Sequence, residues 1–513
     1  MKWNQKFRLL GLDYDAFNVK DITVNYENKL NEIFDEMGHW RTKFLSIRAR
    51  KNIVNGLFLS KLTHIAAVLP NLPDKEIRKI ESRLYEFIWG GAAKIERQES
   101  KLSYESGGMN FPDLSSAWMA LKLPWLRRLT YNTDTKWYEV LNIQIKRIDN
   151  SIKLEKFTSW STTQIATVRR KIESRIWKAI FQSLEIYIKK DLVLNKEKAL
   201  KLNIWGNGIL KNNAGNKISL GKVRSLEQQN ILPAQLLDHN PNGNIGVLSL
   251  EILTDTFKKV KKNHMKNAHE ALTNLINSLD HSKIDSSYKT PCRPYLQENI
   301  HKYKKGSSWW VKSLKMNPDV LKNVRKRENK WRNVLNDQSL DRNFWDTQYK
   351  MITKVKFDNK MHINQYQIMK GNIKTNIHVH KFNNSIPETC SYGCQTKETT
   401  EHLFYKCPVI QNLINQINTY LPTWTNNSPF SSIKDFLFMN RMKKIDARET
   451  SKIVIKYFIQ RTRCSRQIED LNLEKYKEYL YNFMRPHKKA RSLDFLKENK
   501  LWSELNAAPN IIN

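Results

Sequence analysis

A mainly α fold is the architecture this sequence predicts. Its longer segments repeat apolar residues at helical spacing, as Ile410, Leu413, Ile414, Ile417 and Leu421 do. Glycine and proline punctuate those segments at Pro70, Pro73, Gly90-Gly91 and Pro112. Extended patterning is confined to short pieces. The expected order is a helical bundle, a mixed connector, and a helical domain with a small Cys-Cys-His-Cys segment.

Residues 1–20, containing F-R-L-L-G-L-D-Y-D, read as a strand, a break at Gly11 and a second extended piece. Asp13 and Asp15 fall in what reads as a solvated turn. Two-metal catalysis needs carboxylates converging from at least two segments, and no second pair lies nearby. Residues 21–132 read as helical. Between about Ile22 and Leu69, Ile53, Val54 and Leu57 mark one face, and Arg48, Lys51, Asn52 and Asn55 the opposite one. A helix from about Asp74 to Trp89 stops at Gly90-Gly91, and Ser115 to Leu129 is helical again. Residues 133–279 form a mixed connector, with hairpin-like turns at N-I-W-G-N-G and N-N-A-G-N and a basic run from Lys258 to Lys266. Residues 280–306, rich in Ser, Pro and Lys, read as a linker, and 307–385 as a helical domain in which His378 and His380 alternate as on a strand. Residues 386–422 carry the metal-ligand cluster, and 423–513 form a helical tail with a basic run from Arg485 to Arg491.

The cluster is C-S-Y-G-C-Q-T-K-E-T-T-E-H-L-F-Y-K-C, which places Cys390, Cys394, His402 and Cys407 in the spacing C-x3-C-x7-H-x4-C. Three thiolates and an imidazole suit a tetrahedral Zn2+ and leave no position for a reacting water, so the expected role is structural. Gly393 lets the chain turn sharply between the paired cysteines. His402 and Cys407 are five apart and would point well away from each other on one continuous α-helix. Pro408 resolves this by ending helix at Cys407 and opening a new one that runs to about Leu421. The start of that helix would help hold a thiolate. Such a site typically contributes roughly 10 to 16 kcal/mol of apparent binding free energy to local folding. The alternative is three ordinary buried cysteines and a core histidine, although Cys292 and Cys464 lie alone.

With 513 residues the chain has room for about three domains. Its formal charge of +37, from 87 basic and 50 acidic residues, argues for a polyanionic partner, nucleic acid before anionic membrane. The absence of any run of about 18 apolar residues argues against a membrane span. The opening M-K-W-N-Q-K-F-R lacks the apolar core of a secretory signal, and the few cysteines fit a reducing compartment, so nucleus or cytoplasm is expected. Many of the 15 Trp stand beside Lys or Arg, a pattern that suits base stacking next to phosphate contacts, although most tryptophans serve as core anchors. No internal repeat, phosphate-cradling glycine loop or nucleophile and base arrangement is evident.

The succession W-R-T-K-F-L-S-I-R-A-R-K, S-K-L-T-H-I-A-A-V-L-P, F-I-W-G-G, G-G-M-N-F-P-D-L and A-L-K-L-P-W-L-R-R-L resembles the thumb of reverse transcriptases from non-LTR (LINE-like) retrotransposons. The opening L-L-G-L resembles the strand that closes their palm, and the cluster ending E-H-L-F-Y-K-C-P resembles the zinc-binding segment that follows. The resemblance covers nearly the whole chain. It implies a helical thumb gripping template and primer backbone through Lys43, Arg48, Arg50, Lys51, Asn55 and Lys61, a zinc segment contacting the element's RNA, and target DNA as a further partner. The family's aromatic-x-Asp-Asp catalytic turn does not occur in this sequence, and Asp13 and Asp15 follow the strand where the family has no catalytic residue. Polymerisation therefore does not carry over, and the chain reads as a C-terminal part of such a polymerase, without its palm and endonuclease. The three residues between the first two cysteines, where the family commonly has two, mark a second departure. Two other readings remain. In one the segment is a zinc-stabilised protein-interaction module. In the other the chain is part of an active enzyme whose palm comes from elsewhere.

Overall fold

The structure is a computed structural model, and it describes residues 7–9, 12–14, 22–43, 45–91, 93, 95–205, 207–216, 231–239, 245–279, 294–302, 311, 314–315, 317–354, 359–425, 428–440, 447–465 and 468–489. The fold is mainly α. Among the described residues only two small antiparallel hairpins interrupt the helices, Phe7–Leu9 with Leu12–Tyr14 and Leu237–His239 with Ile245–Val247. The first hairpin accounts for the strand, break and strand read from F-R-L-L-G-L-D-Y-D. The side chains of Asp13 and Asp15 lie outside the described residues.

The chain divides into two compact units, the first comprising 1–44, 51–88 and 112–318, the second 45–50, 89–111 and 319–513. The long helical stretch after Ile22 is broken into helices Ile22–Arg41, Ile47–Ile53 and Leu59–Val68, with a π-helical turn at Val54–Phe58 between the last two. The helix Asp74–Trp89 has the predicted bounds and buries Ile77, Ile80, Leu84, Phe87 and Ile88 on one side. The predicted helix at Ser115 to Leu129 is two helices, Leu114–Lys122 and Pro124–Tyr131, because Pro124 opens a new one. Asp113 caps the first by accepting from the Ser116 amide at 3.3 Å, and buried Glu81 accepts from the Leu114 amide at 3.0 Å.

Residues 133–279 are more helical than a hairpin-rich connector implies. Helices Lys136–Ile148, Thr162–Lys171, Arg175–Leu194, Leu250–Thr256 and Lys262–Asn277 surround a core that includes Phe157, Phe181, Leu184, Ile188 and Leu272. The N-N-A-G-N segment is a tight turn closed by the Asn212 amide donating to the Asn216 carbonyl, with Gly215 at φ +75°. Within 280–306, read as a linker, Tyr295–Lys302 is a helix, and buried Tyr295 donates to Asp191. An apolar face in a short helix is easily hidden by a polar average composition.

In the second unit, helices Pro318–Leu335, Arg342–Lys354 and Asn359–Met369 lead into the cysteine cluster, and Ala447–Ser465 and Leu473–Lys489 follow it. The short helix Ile433–Leu437 is pinned by Gln365, whose Nε2 donates to the Leu437 carbonyl at 2.9 Å. Buried Glu99 pairs with Lys370 at 2.7 Å and with Arg327, and Tyr349 donates to Glu328 at 3.0 Å. No helix among the described residues is long and apolar enough to cross a membrane.

Candidate metal centre

The four predicted ligands converge. The Cys390, Cys394 and Cys407 sulfurs and a His402 ring nitrogen all lie within 4.8 Å of one another, and this group can hold a metal ion. Cys407 Sγ is 3.8 Å from both Cys390 Sγ and Cys394 Sγ. Thiolates around a tetrahedral ion with bonds of about 2.3 Å stand about 3.8 Å apart, so these sulfurs are already placed. The 3.0 Å from Cys394 Sγ to His402 Nε2 is about 0.5 Å shorter than the same tetrahedron implies, an adjustment within reach of side-chain rotation.

Local sequence explains how the ligands meet. Gly393 sits at φ +81°, and its amide donates to the Cys390 carbonyl at 3.1 Å, closing the turn between the first two cysteines. The Cys390 amide then donates to the Thr396 carbonyl at 2.8 Å, with a bridge between Thr389 and Lys397. His402–Lys406 is a π-helical turn in which the Cys407 amide donates to the His402 carbonyl at 3.0 Å. A wider π turn brings residues five apart back toward one face, where an α-helix would separate them. Cys407 then leaves the helical region at ψ +131°, and Pro408–Thr425 begins a fresh helix, as Pro408 predicts. That helix runs one turn beyond Leu421 and buries Ile410, Leu413, Ile414, Ile417 and Leu421.

Burial and nearby hydrogen-bond donors pull the ligand sulfurs in opposite directions. Burial pushes the Cys390 thiol up to about 12 and raises that of Cys407. Backbone amides counter this: Tyr392 donates to Cys390 at 3.4 Å, and Val409 and Ile410 at the helix start donate to Cys407. At Cys394 burial also raises, but amide and thiol hydrogen bonds led by that from Thr396 prevail and lower it. Burial lowers His402, favouring the neutral imidazole that ligates a metal. Three thiols held together in a buried site become thiolates most readily when an ion shares their charge.

A buried carboxylate absent from the sequence reading holds the loop in place. Glu398 is 0 % exposed and accepts from the amides of Asn376 at 2.8 Å and Ser391 at 2.9 Å, from the Ser391 hydroxyl, and from Arg463. Burial opposes its charge, but the hydrogen bonds from Arg463 and Ser391 win and hold it below the usual carboxylate range. Tyr392 reaches the same helix, donating to the Ile459 carbonyl at 3.2 Å. A Glu between two ligand positions hints at such a role, but Arg463 lies 65 residues further on and nothing local marks it.

Other sequence-derived candidates fare differently. His378 and His380 lie on the helix Asn376–His380, not on a strand, and His380 Nδ1 is 2.7 Å from the Ile386 carbonyl, so neither joins the cluster. Thr375 is extended and two helical residues, Asn376 and Ile377, precede His378 in a helix of five residues, too short to leave a periodic signal. Of the six candidate phosphate contacts, Lys43, Lys51, Asn55 and Lys61 belong to the first unit and Arg48 and Arg50 to the second. Lys43, Arg48 and Asn55 are exposed and Arg50 is half-buried, while Lys51 is 7 % exposed and Lys61 pairs with Glu36. Lys51 is therefore no part of an exposed face. The Lys258 to Lys266 run is exposed except at Val260, His264 and Met265, and the side chains of the Arg485 to Arg491 run lie outside the described residues. Cys292 is also outside them.

No protein-family model matches the chain, and no curated protein matches it.

Proposed function

We propose that this chain is a nucleic-acid-binding protein whose Cys390, Cys394, His402 and Cys407 site holds a structural Zn2+, and that it corresponds to the C-terminal part of a non-LTR retrotransposon reverse transcriptase. The observation that carries the reading is a closed Cys3His group on a chain with a net charge of +37. Three thiolates and an imidazole favour zinc over harder cations, and their closed geometry leaves no site for metal-assisted hydrolysis. The ion's contribution is to fold a small segment onto the helices Pro408–Thr425 and Ala447–Ser465. The family resemblance supplies the expected ligands, the element's RNA and its target DNA. No catalytic residue is assigned.

Anisotropy titration of the full chain against structured RNA, single-stranded DNA and duplex DNA tests this, at two salt concentrations and with or without a zinc chelator. Binding is expected to weaken steeply with salt, because neutralised phosphates release counterions with a slope of about 0.7 to 0.9 per contact. Chelation is expected to weaken it further. Affinity that stays flat between low and physiological salt overturns the reading. The burial of Lys51 and the pairing of Lys61 favour a second reading, in which the metal segment serves protein interaction. Replacing Lys43, Arg48 and Arg50 by alanine without loss of nucleic-acid binding would select it.

A further inference from the structure

We propose that Trp125 and Trp137, with the arginines beside them, form a stacking platform for the unpaired bases of a single nucleic-acid strand. The inference rests on the nucleic-acid reading above and deepens it by naming the strand's form and a surface separate from the metal centre.

The platform is built from three indoles. Trp125 meets Trp137 edge to face at 6.0 Å and Trp177 edge to face at 5.9 Å, while Trp137 stacks on Trp177 at 5.6 Å and 30°. Trp177 is buried and leans on Phe181, so it is the backing. Trp125 and Trp137 are half-buried. Trp118, Trp160, Trp205, Trp331 and Trp345 are all buried, as core anchors should be. Trp40 and Trp89 are half-buried too, but among the described residues Trp125 and Trp137 are the half-buried pair that pack on each other and on a buried third indole. A buried backing under half-buried aromatic rings is an arrangement that base stacking uses.

Cations frame the rings. The Arg128 guanidinium lies 4.3 Å from the Trp125 ring centroid, and that of Arg127 lies 5.7 Å from the Tyr131 ring. The helix Pro124–Tyr131 places these as an i, i+3 and an i, i+4 pair, so two cation and aromatic pairs stand side by side along two turns. A guanidinium stacked on a ring keeps its in-plane N–H donors for a phosphate. Both arginines are exposed, and Tyr131 is 56 % exposed. The nearby Lys136 is paired with Glu139, so the arginines are the phosphate-facing cations in this argument. A duplex keeps its base faces stacked on one another and cannot use such a platform, whereas every base of a single strand has a π face to offer.

The test uses the full chain, with labelled oligo(U), labelled oligo(dT) and a duplex of equal length. Single strands are expected to quench intrinsic tryptophan fluorescence more than the duplex does. Arg127→Ala with Arg128→Ala is expected to lower single-strand affinity at least about tenfold, since both the phosphate-facing charges and the cation on the Trp125 ring are lost. Trp137→Phe, which keeps an aromatic ring in the cluster, is expected to reduce the quench without lowering the melting temperature appreciably. Unchanged affinity in the arginine variant, or equal quenching by duplex, overturns the platform and leaves this face for a protein partner. Wild-type RNA binding that survives in the arginine variant but falls in the Lys43, Arg48 and Arg50 variant removes the platform alone. No salt-sensitive binding to any probe removes both the platform and the function it rests on.

Discussion

The amide of Cys407 donates to the carbonyl of His402, five residues earlier, at 3.0 Å. This one π-type bond lets the H-x4-C spacing behave as a ligand pair, because it widens the turn by one residue and returns Cys407 to the side occupied by His402. Inserting one alanine after Tyr405 would put His402 and Cys407 six residues apart and turn the sulfur well away from the imidazole. The expected result is loss of the metal equivalent from the purified protein, read by elemental analysis, together with protease cleavage near residue 400. Retention of one tightly held ion would show that the π turn is not what sets the ligand geometry.

Glu398 and Arg463 form the buried pair that fastens the metal loop to the helix Ala447–Ser465. Glu398→Gln keeps the shape but removes the charge that accepts from Arg463 and Ser391. A partner that orients a ligand loop commonly costs 10- to 100-fold in metal affinity when lost, and a decrease of about that size is expected in a chelator competition. An unchanged affinity would limit Glu398 to packing.

Lys122 is fully buried and donates to the carbonyl of Ala66. That carbonyl would bond the amide of residue 70 if the helix continued, but Pro70 has none, so the lysine fills the vacancy. Burial lowers Lys122 from 10.5 to about 7. The unfolded chain therefore holds a proton that the folded chain releases, and stability should rise as pH increases from about 7 to 10.5, by up to about 1.4 kcal/mol per unit. Lys122→Met removes this rise. Denaturant unfolding at three pH values would show the two slopes, and a parallel pair would refute the burial argument.

Gly108 and Gly56 should respond oppositely to alanine. A Cβ on Gly108 would run into the backbone carbonyl of Leu102, whereas one on Gly56 would meet nothing within 4 Å. Gly108→Ala is expected to cost about 3 kcal/mol, and Gly56→Ala to be neutral or to stabilise by about 0.5 to 1 kcal/mol. Thermal melts of the two variants decide it, and equal shifts would contradict the local geometry.

Much was legible where signals are local. The bounds of Asp74–Trp89, the stop at Gly90-Gly91, the new helix at Pro408 and the four ligand residues all follow from spacing and from what glycine and proline do to backbone torsions. The helix Tyr295–Lys302 was hidden because composition averages out an eight-residue apolar face, and the His378 and His380 alternation misled because two residues cannot distinguish a strand from a helical turn.

By itself the sequence determined a mainly α chain of high positive charge with one Cys3His cluster, since periodicity, charge and ligand identity are properties of neighbouring residues. Tertiary structure alone decided that Lys51 is buried while Lys43 stays exposed, that Glu398 finds Arg463, and that Trp125 and Trp137 share a surface with Arg127 and Arg128. Each of these depends on which distant helix packs against which face. Burial and charge pairing are set by contacts between segments far apart in the chain, and local pattern carries no record of them.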